Sequence, residues 1–206
     1  MAYAVASAAS SRLDDHLLES WTRALVAGDV SSLRPVFAAQ RAQGPEVVWS
    51  PTRDFLSPPQ LRFLLDYWTE RAAGRRAPEV NDVDPLEMRP ALGFIVLADV
   101  VDGGRDFRIR LYGSAVSAVA GFDLTGKLVA EHPASPYLVS FYCAAYRAAC
   151  LRREPVFTMH KPPPSVHTHS WHRLNLPLTD EKGEVIRFLS GNVPLNSAGQ
   201  PVMLRL

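Results

Sequence analysis

The chain has 206 residues, 47% apolar and 21% charged, which suffices for one domain of ordinary size with an extension. Its 22 Lys and Arg nearly balance 21 Asp and Glu for a net charge of +1, which argues against a nucleic-acid partner, since that asks for a basic face. No stretch reaches the length of a membrane span, and the Ala-rich Met1–Ser10 lacks the basic start and apolar run of a signal peptide, so a cytoplasmic location without membrane contact is expected.

Leu13, Leu17, Trp21 and Leu25 recur every four residues, with Leu18 on the same stripe. They predict an amphipathic helix over 11–28 that opens on a Ser11/Asp14 capping pair and stops at Gly28. Such a stripe must pack on its own domain or on a second copy, and a homodimer through this helix is the expectation. A second helix runs from near Ser32 to before Gly44, with Pro35 tolerated in its first turn. Residues 45–57 hold two prolines and no clear period, and read as a connector. Residues 1–56 are thus a helical N-terminal extension, and 57–206 the domain it precedes.

A third helix is marked by Ser57 as cap, Pro58 as first residue and Gly74 as end, with Leu61, Leu64, Leu65, Trp68 and Ala72 as its stripe. Arg75 to Asp84 is polar and irregular, and Asp84-Pro85 opens a short helix that Pro90 cuts off. The pattern then changes. Gly93 to Val101 is an apolar run, Asp102-Gly103-Gly104 a turn, and Asp106 to Tyr112 an alternation with Phe107, Ile109 and Leu111 on one face. Together they predict a hairpin. Short helical pieces cover 114–120 and 126–131, and a longer helix runs from Ser135 to Arg153. Three strands close the chain, at Val156–Lys161, His167–Leu178 and Glu184–Leu195, the last two joined by the turn Asp180–Gly183. Leu174, Leu176 and Leu178 on one face and Trp171 on the other predict a sheet covered on both sides.

Two features have structural explanations at this stage. The pairs Arg75-Arg76 and Arg152-Arg153 sit at helix ends, where they complement the dipole. Cys143 and Cys150 lie seven apart on one helix, roughly 10 Å of rise, too far for a disulfide between them, and read as reduced and buried.

The stretches LLDYWTERAAGRRAPEVNDVDPLEMRPALG (64–93), FRIRLYGSAVSAVAGFDLTGK (107–127) and WHRLNLPLTDEKGEVIRFLSG (171–191) resemble a subfamily of bacterial PAS proteins, common in alphaproteobacteria, in which a helix precedes the sheet. The resemblance covers about residues 60–195. It implies an α+β fold: a five-stranded antiparallel sheet of order 2-1-5-4-3 with flanking helices, its concave face meeting the short helices and the helix at 135–153. The helix at 58–74 would cover the opposite face. Domains of this kind hold a small ligand in the cleft, dimerise, or dock onto a partner.

A ligand pocket is therefore expected on that face. From the early strands and short helices it would take Ile109, Leu111, Val119 and Phe122. From the long helix and the late strands it would take Phe141, Tyr142, Trp171, Arg173 and Ser190. Arg173, beside the aromatic Trp171, is the residue best suited to orient an anionic or carbonyl-bearing ligand; the alternative is that it pairs with a carboxylate at the sheet surface. No cofactor is assigned. Neither cysteine sits in the Asn-Cys-Arg motif of flavin photosensors, and the long helix has no His for haem, although His132 lies just before it.

His160, His167, His169 and His172 form the one cluster with metal-ligand character, since His167 and His169 share a strand face and His160 lies on the neighbouring strand. The competing explanation is an exposed His-rich hairpin. Gly-x-Ser-x-Gly, His-Glu-x-x-His and Gly-rich phosphate loops are absent, and Ser114 more simply caps the helix that follows it. Three functions follow: a PAS sensory domain acting with a small ligand and a signalling partner, an adaptor with an empty pocket that dimerises through its N-terminal helices, and a small metal-dependent enzyme built on the His cluster. Because the chain carries no kinase, cyclase or DNA-binding segment, the expectation is a non-enzyme whose output runs through another protein.

Overall fold

The computed structural model describes residues 15–203 except Ser165 and His167. The Ser11/Asp14 cap and Leu13 therefore lie outside the described residues. The elements are α1 (Asp15–Val26), α2 (Arg34–Ala39), β1 (Gln43–Trp49), α3 (Pro59–Ala72), β2 (Ile95–Val101), β3 (Asp106–Tyr112), α4 (Ser114–Ala120), α5 (Pro136–Arg152), β4 (Val156–Lys161), β5 (Ser170–Thr179) and β6 (Val185–Leu195).

The strands form a six-stranded sheet in the order β1-β4-β5-β6-β2-β3, and every pairing is antiparallel. The last five strands reproduce the expected 2-1-5-4-3 order. The sixth is a correction: Gln43–Trp49, expected to end a helix and begin a connector, pairs along β4 with a register shift between Gln43 and Glu46. Helix α2 is correspondingly short and ends at Ala39.

Both faces of the sheet are covered. On one face α3 buries Leu61, Leu64, Leu65 and Trp68 against Leu174, Leu176, Leu178 and Leu189. Trp68 also donates its indole N–H to the Pro177 carbonyl at 2.8 Å. Gly191 permits this approach: a Cβ there would lie 2.7 Å from Leu64 Cδ1. On the concave face lies α5, which is buried nearly all round because α1 packs on its outer side. A helix apolar on every face needs such a position. Four alanines at 144, 145, 148 and 149, all buried, keep α5 close to its neighbours.

The stripe of α1 is thus covered within the chain. Leu18, Trp21 and Leu25 are almost fully buried, Trp49 Nε1 donates to the Leu25 carbonyl at 2.9 Å, and Arg147 pairs with Glu19 at 3.3 Å. The basic pairs behave as helix-end residues. Arg75 donates to the Ala72 carbonyl and Arg76 to that of Arg152, at 3.1 and 2.6 Å.

Candidate functional site

Antiparallel register fixes which side chains share the concave face, because residues directly opposite one another point the same way. Thr158, Arg173 and Asn192 form one rung across β4, β5 and β6. The next rung runs Val156, Asn175, Ser190, Val96 and Tyr112 across β4, β5, β6, β2 and β3. The sheet floor under α5 is therefore polar at Thr158, Arg173, Asn175, Ser190 and Asn192, in a layer otherwise built of apolar side chains.

Between this floor and the helices is a cavity of about 50 Å³. Val96, Ile109, Leu124, Val129 and Ala145 give it an apolar wall. Tyr112, His132, Tyr142 and Tyr146 add aromatic edges, and Thr158, Arg173, Asn175 and Asn192 the polar base.

Arg173 is held from two sides. Nη1 lies 3.1 Å from His160 Nδ1, Nη2 donates to Tyr142 Oη at 2.9 Å, and the guanidinium sits 4.2 Å from the Tyr142 ring centre and 5.4 Å from that of Trp171. No carboxylate among the described residues comes within 4 Å of it. The surface ion pair open to it in sequence is not made. Around this charge the imidazoles are neutral. Burial first, and the positive charge of Arg173 second, lower His132 to about 3 and His160 well below its ordinary value. His132 Nδ1 accepts the Ala134 N–H at 3.0 Å, which leaves its proton on Nε2. Burial raises the phenols of Tyr142 and Tyr146 against the opposing pull of their partners. Tyr146 Oη meets Ser190 Oγ at 3.0 Å.

Two lining groups are left without partners. Asn175 and Asn192 are 3% and 8% exposed, and the side-chain oxygen of each is buried with no hydrogen bond. Buried polar atoms are nearly always bonded, so this pair of open acceptors sets the cavity floor apart from the rest of the core.

Of the pocket expected from sequence, Ile109, Tyr142 and Arg173 line the cavity. Leu111 does not. A bulge pairs Leu97 with Leu111 but Ala98 with Ile109, so Leu111 joins the α3 side and Tyr112 turns inward. Phe122 stands behind the wall, 4.8 Å from the His132 ring, and Phe141 faces Phe37. Trp171 flanks Arg173, Ser190 is covered by Tyr146, and Val119 is not among the lining residues. Tyr146, Thr158, Asn175 and Asn192 were missed, and His132 was weighed only for haem. For Asn175 and Asn192 the available signal was same-face spacing with Arg173 and Ser190 on two neighbouring strands expected to be buried.

The His cluster is dispersed. His160 is paired with Trp171 on the concave face, whereas His172 lies on the other face, 5.4 Å from the Phe157 ring. His169 is exposed, and His167 is outside the described residues. Among the described residues, no three His, Cys, Asp or Glu are grouped to hold a metal. Cys143 and Cys150 are free thiols, and burial pushes both up, Cys150 to about 12.

The chain is thus an α+β domain, an antiparallel sheet roofed by helices over a small internal cleft. The sequence profile of the PAS domain matches residues 56–191, and the chain belongs to the PAS domain family. No curated protein matches the chain. Among solved structures it is similar to an RNA-binding light-oxygen-voltage receptor, at 15% identity and a TM-score of 0.44, over 87% of this chain and 53% of that one. The chain thus spans about half the length of that structure. No described helix is long and apolar enough to cross a membrane.

Proposed function

We propose that this chain is a PAS sensory domain whose cleft holds a small anionic ligand with Arg173 as anchor. The observation that carries the reading is a guanidinium that lines a partly closed cavity and has no carboxylate partner among the described residues. Arg173 is half-buried, so its charge gives up part of its hydration, and a charge so placed is stabilised by an opposite charge beside it. A neutral imidazole, a phenol and two aromatic faces offset part of that loss, but they bring no opposite charge. An anion in the cleft supplies it through a charge-assisted, two-pronged contact for which a guanidinium is suited. On this reading the domain is regulatory, and ligand occupancy is passed to a partner protein or a second copy of the chain.

The test is thermal stabilisation of the purified protein by a set of small anions, in wild type and in Arg173→Met. The variant keeps much of the side-chain stem and removes the charge. The reading expects stabilisation of wild type by at least one anion and its loss in a folded variant. Equal stabilisation of both proteins would overturn it.

A further inference from the structure

The same cleft restricts the kind of anion, and this inference rests on the anionic reading above. We propose that the guest is a two- to three-carbon hydroxycarboxylate with a single negative charge, its carboxylate on Arg173 and its hydroxyl on the side-chain oxygen of Asn192.

Size comes first. The cavity, about 50 Å³ and partly closed, has room for on the order of four water-sized groups, which favours a guest of few non-hydrogen atoms. Charge comes second. Arg173 is the one charged residue among those lining the cavity, since none is Asp, Glu or Lys and the imidazole is neutral. A monoanion balances it. A second carboxylate would be buried without a cation, and the ammonium of an amino acid without an anion.

Hydrogen bonding comes third. The buried oxygens of Asn175 and Asn192 both lack donors. They lie diagonally across β5 and β6, with Asn192 directly opposite Arg173 and Asn175 two residues along from it. A simple carboxylate has only acceptors and would leave both oxygens bare. A hydroxyl beside the carboxylate brings the missing proton to Asn192, the carboxamide directly opposite Arg173. Water can satisfy the other oxygen but not the charge. The apolar wall of Ile109, Leu124 and Val129 suits the short carbon skeleton.

The experiment is titration calorimetry of the full chain with lactate, propionate, lactamide, alanine and malate. Lactate is expected to bind at least about tenfold tighter than propionate, because propionate leaves buried acceptors unpaired. Lactamide, alanine and malate are expected to be weaker than lactate. In Asn192→Leu, which keeps the side-chain shape, lactate should fall to the affinity of propionate. Equal affinity for lactate and propionate, with both lost in Arg173→Met, would overturn the hydroxyl assignment and leave the anionic reading standing. Lactamide binding as well as lactate would overturn the anionic reading itself, and no binding by any carboxylate would overturn both. If a variant fails to fold, the wild-type series alone decides.

Discussion

Arg173 Nη1 lies 3.1 Å from Nδ1 of His160, so a group that only donates faces a ring that must accept. His160 is therefore neutral with its proton on Nε2, an atom that is buried without a partner. His132 and His172 are neutral as well: burial, and then Arg173, hold them at about 3 and about 4.

These imidazoles set a pH dependence. In the unfolded chain they take up protons below about 6.5, while in the folded chain they stay neutral. The unfolded state then binds more protons, so stability is lost as pH falls from about 6.5 toward 4. Each buried His is expected to add a slope of up to about 1.4 kcal/mol per pH unit. Urea unfolding measured between about pH 7.5 and 5 checks this, and His172→Phe should remove one share of the slope. Stability that stays flat across that range would contradict neutral, buried rings.

The orphaned oxygens make a second expectation. Replacing Asn192 or Asn175 by Leu removes a buried unpaired acceptor at similar shape, which should stabilise the ligand-free protein by about 1 kcal/mol or more. For a chain of this size that raises Tm by about 2–4 °C. A fall in Tm would mean that these carboxamides are bonded within the protein.

Close packing of backbone gives a third. A Cβ at Gly113 would lie 2.8 Å from the Ile95 carbonyl oxygen and would also meet the backbone of Gly93, where nothing can yield cheaply. At Gly191 the obstacle is the ends of Leu61 and Leu64, which are side chains. Gly191→Ala is expected to cost about 1–3 kcal/mol and Gly113→Ala more, as read by chemical denaturation. The reverse order would contradict the distinction between rigid and yielding neighbours.

The N-terminal helix gives a fourth. Trp21 is 2% exposed between α1 and α5, and truncating such a residue costs about 3–5 kcal/mol. Trp21→Ala, or deletion of residues 1–30, is therefore expected to lower Tm sharply whatever the oligomeric state. A deletion that leaves Tm unchanged would show that α1 does not stabilise the domain.

Much of the fold was legible because its signals are local. Gly-containing turns bound the β2–β3 and β5–β6 hairpins, and Leu174, Leu176 and Leu178 mark the face against α3. Strand β1 was hidden because Gly44 and Pro45 break its alternation and only pairing with β4 makes it a strand. The misplacement of Leu111 has a similar origin, since a bulge between neighbouring strands inverts the facing without altering the sequence pattern. Arg173 stood out in the cleft as a cation beside an aromatic. Asn175 and Asn192 did not, because a polar residue on a strand ordinarily faces water, and only register across three strands places them beneath α5.

The central claim is that Arg173 anchors an anion in the cleft. Nitrogen-15 NMR of the arginine Nε–H groups during titration with lactate tests it most directly. One arginine signal, absent in Arg173→Met, is expected to shift and saturate with the ligand while the others stay in place. Saturable binding that leaves that signal unmoved would contradict it.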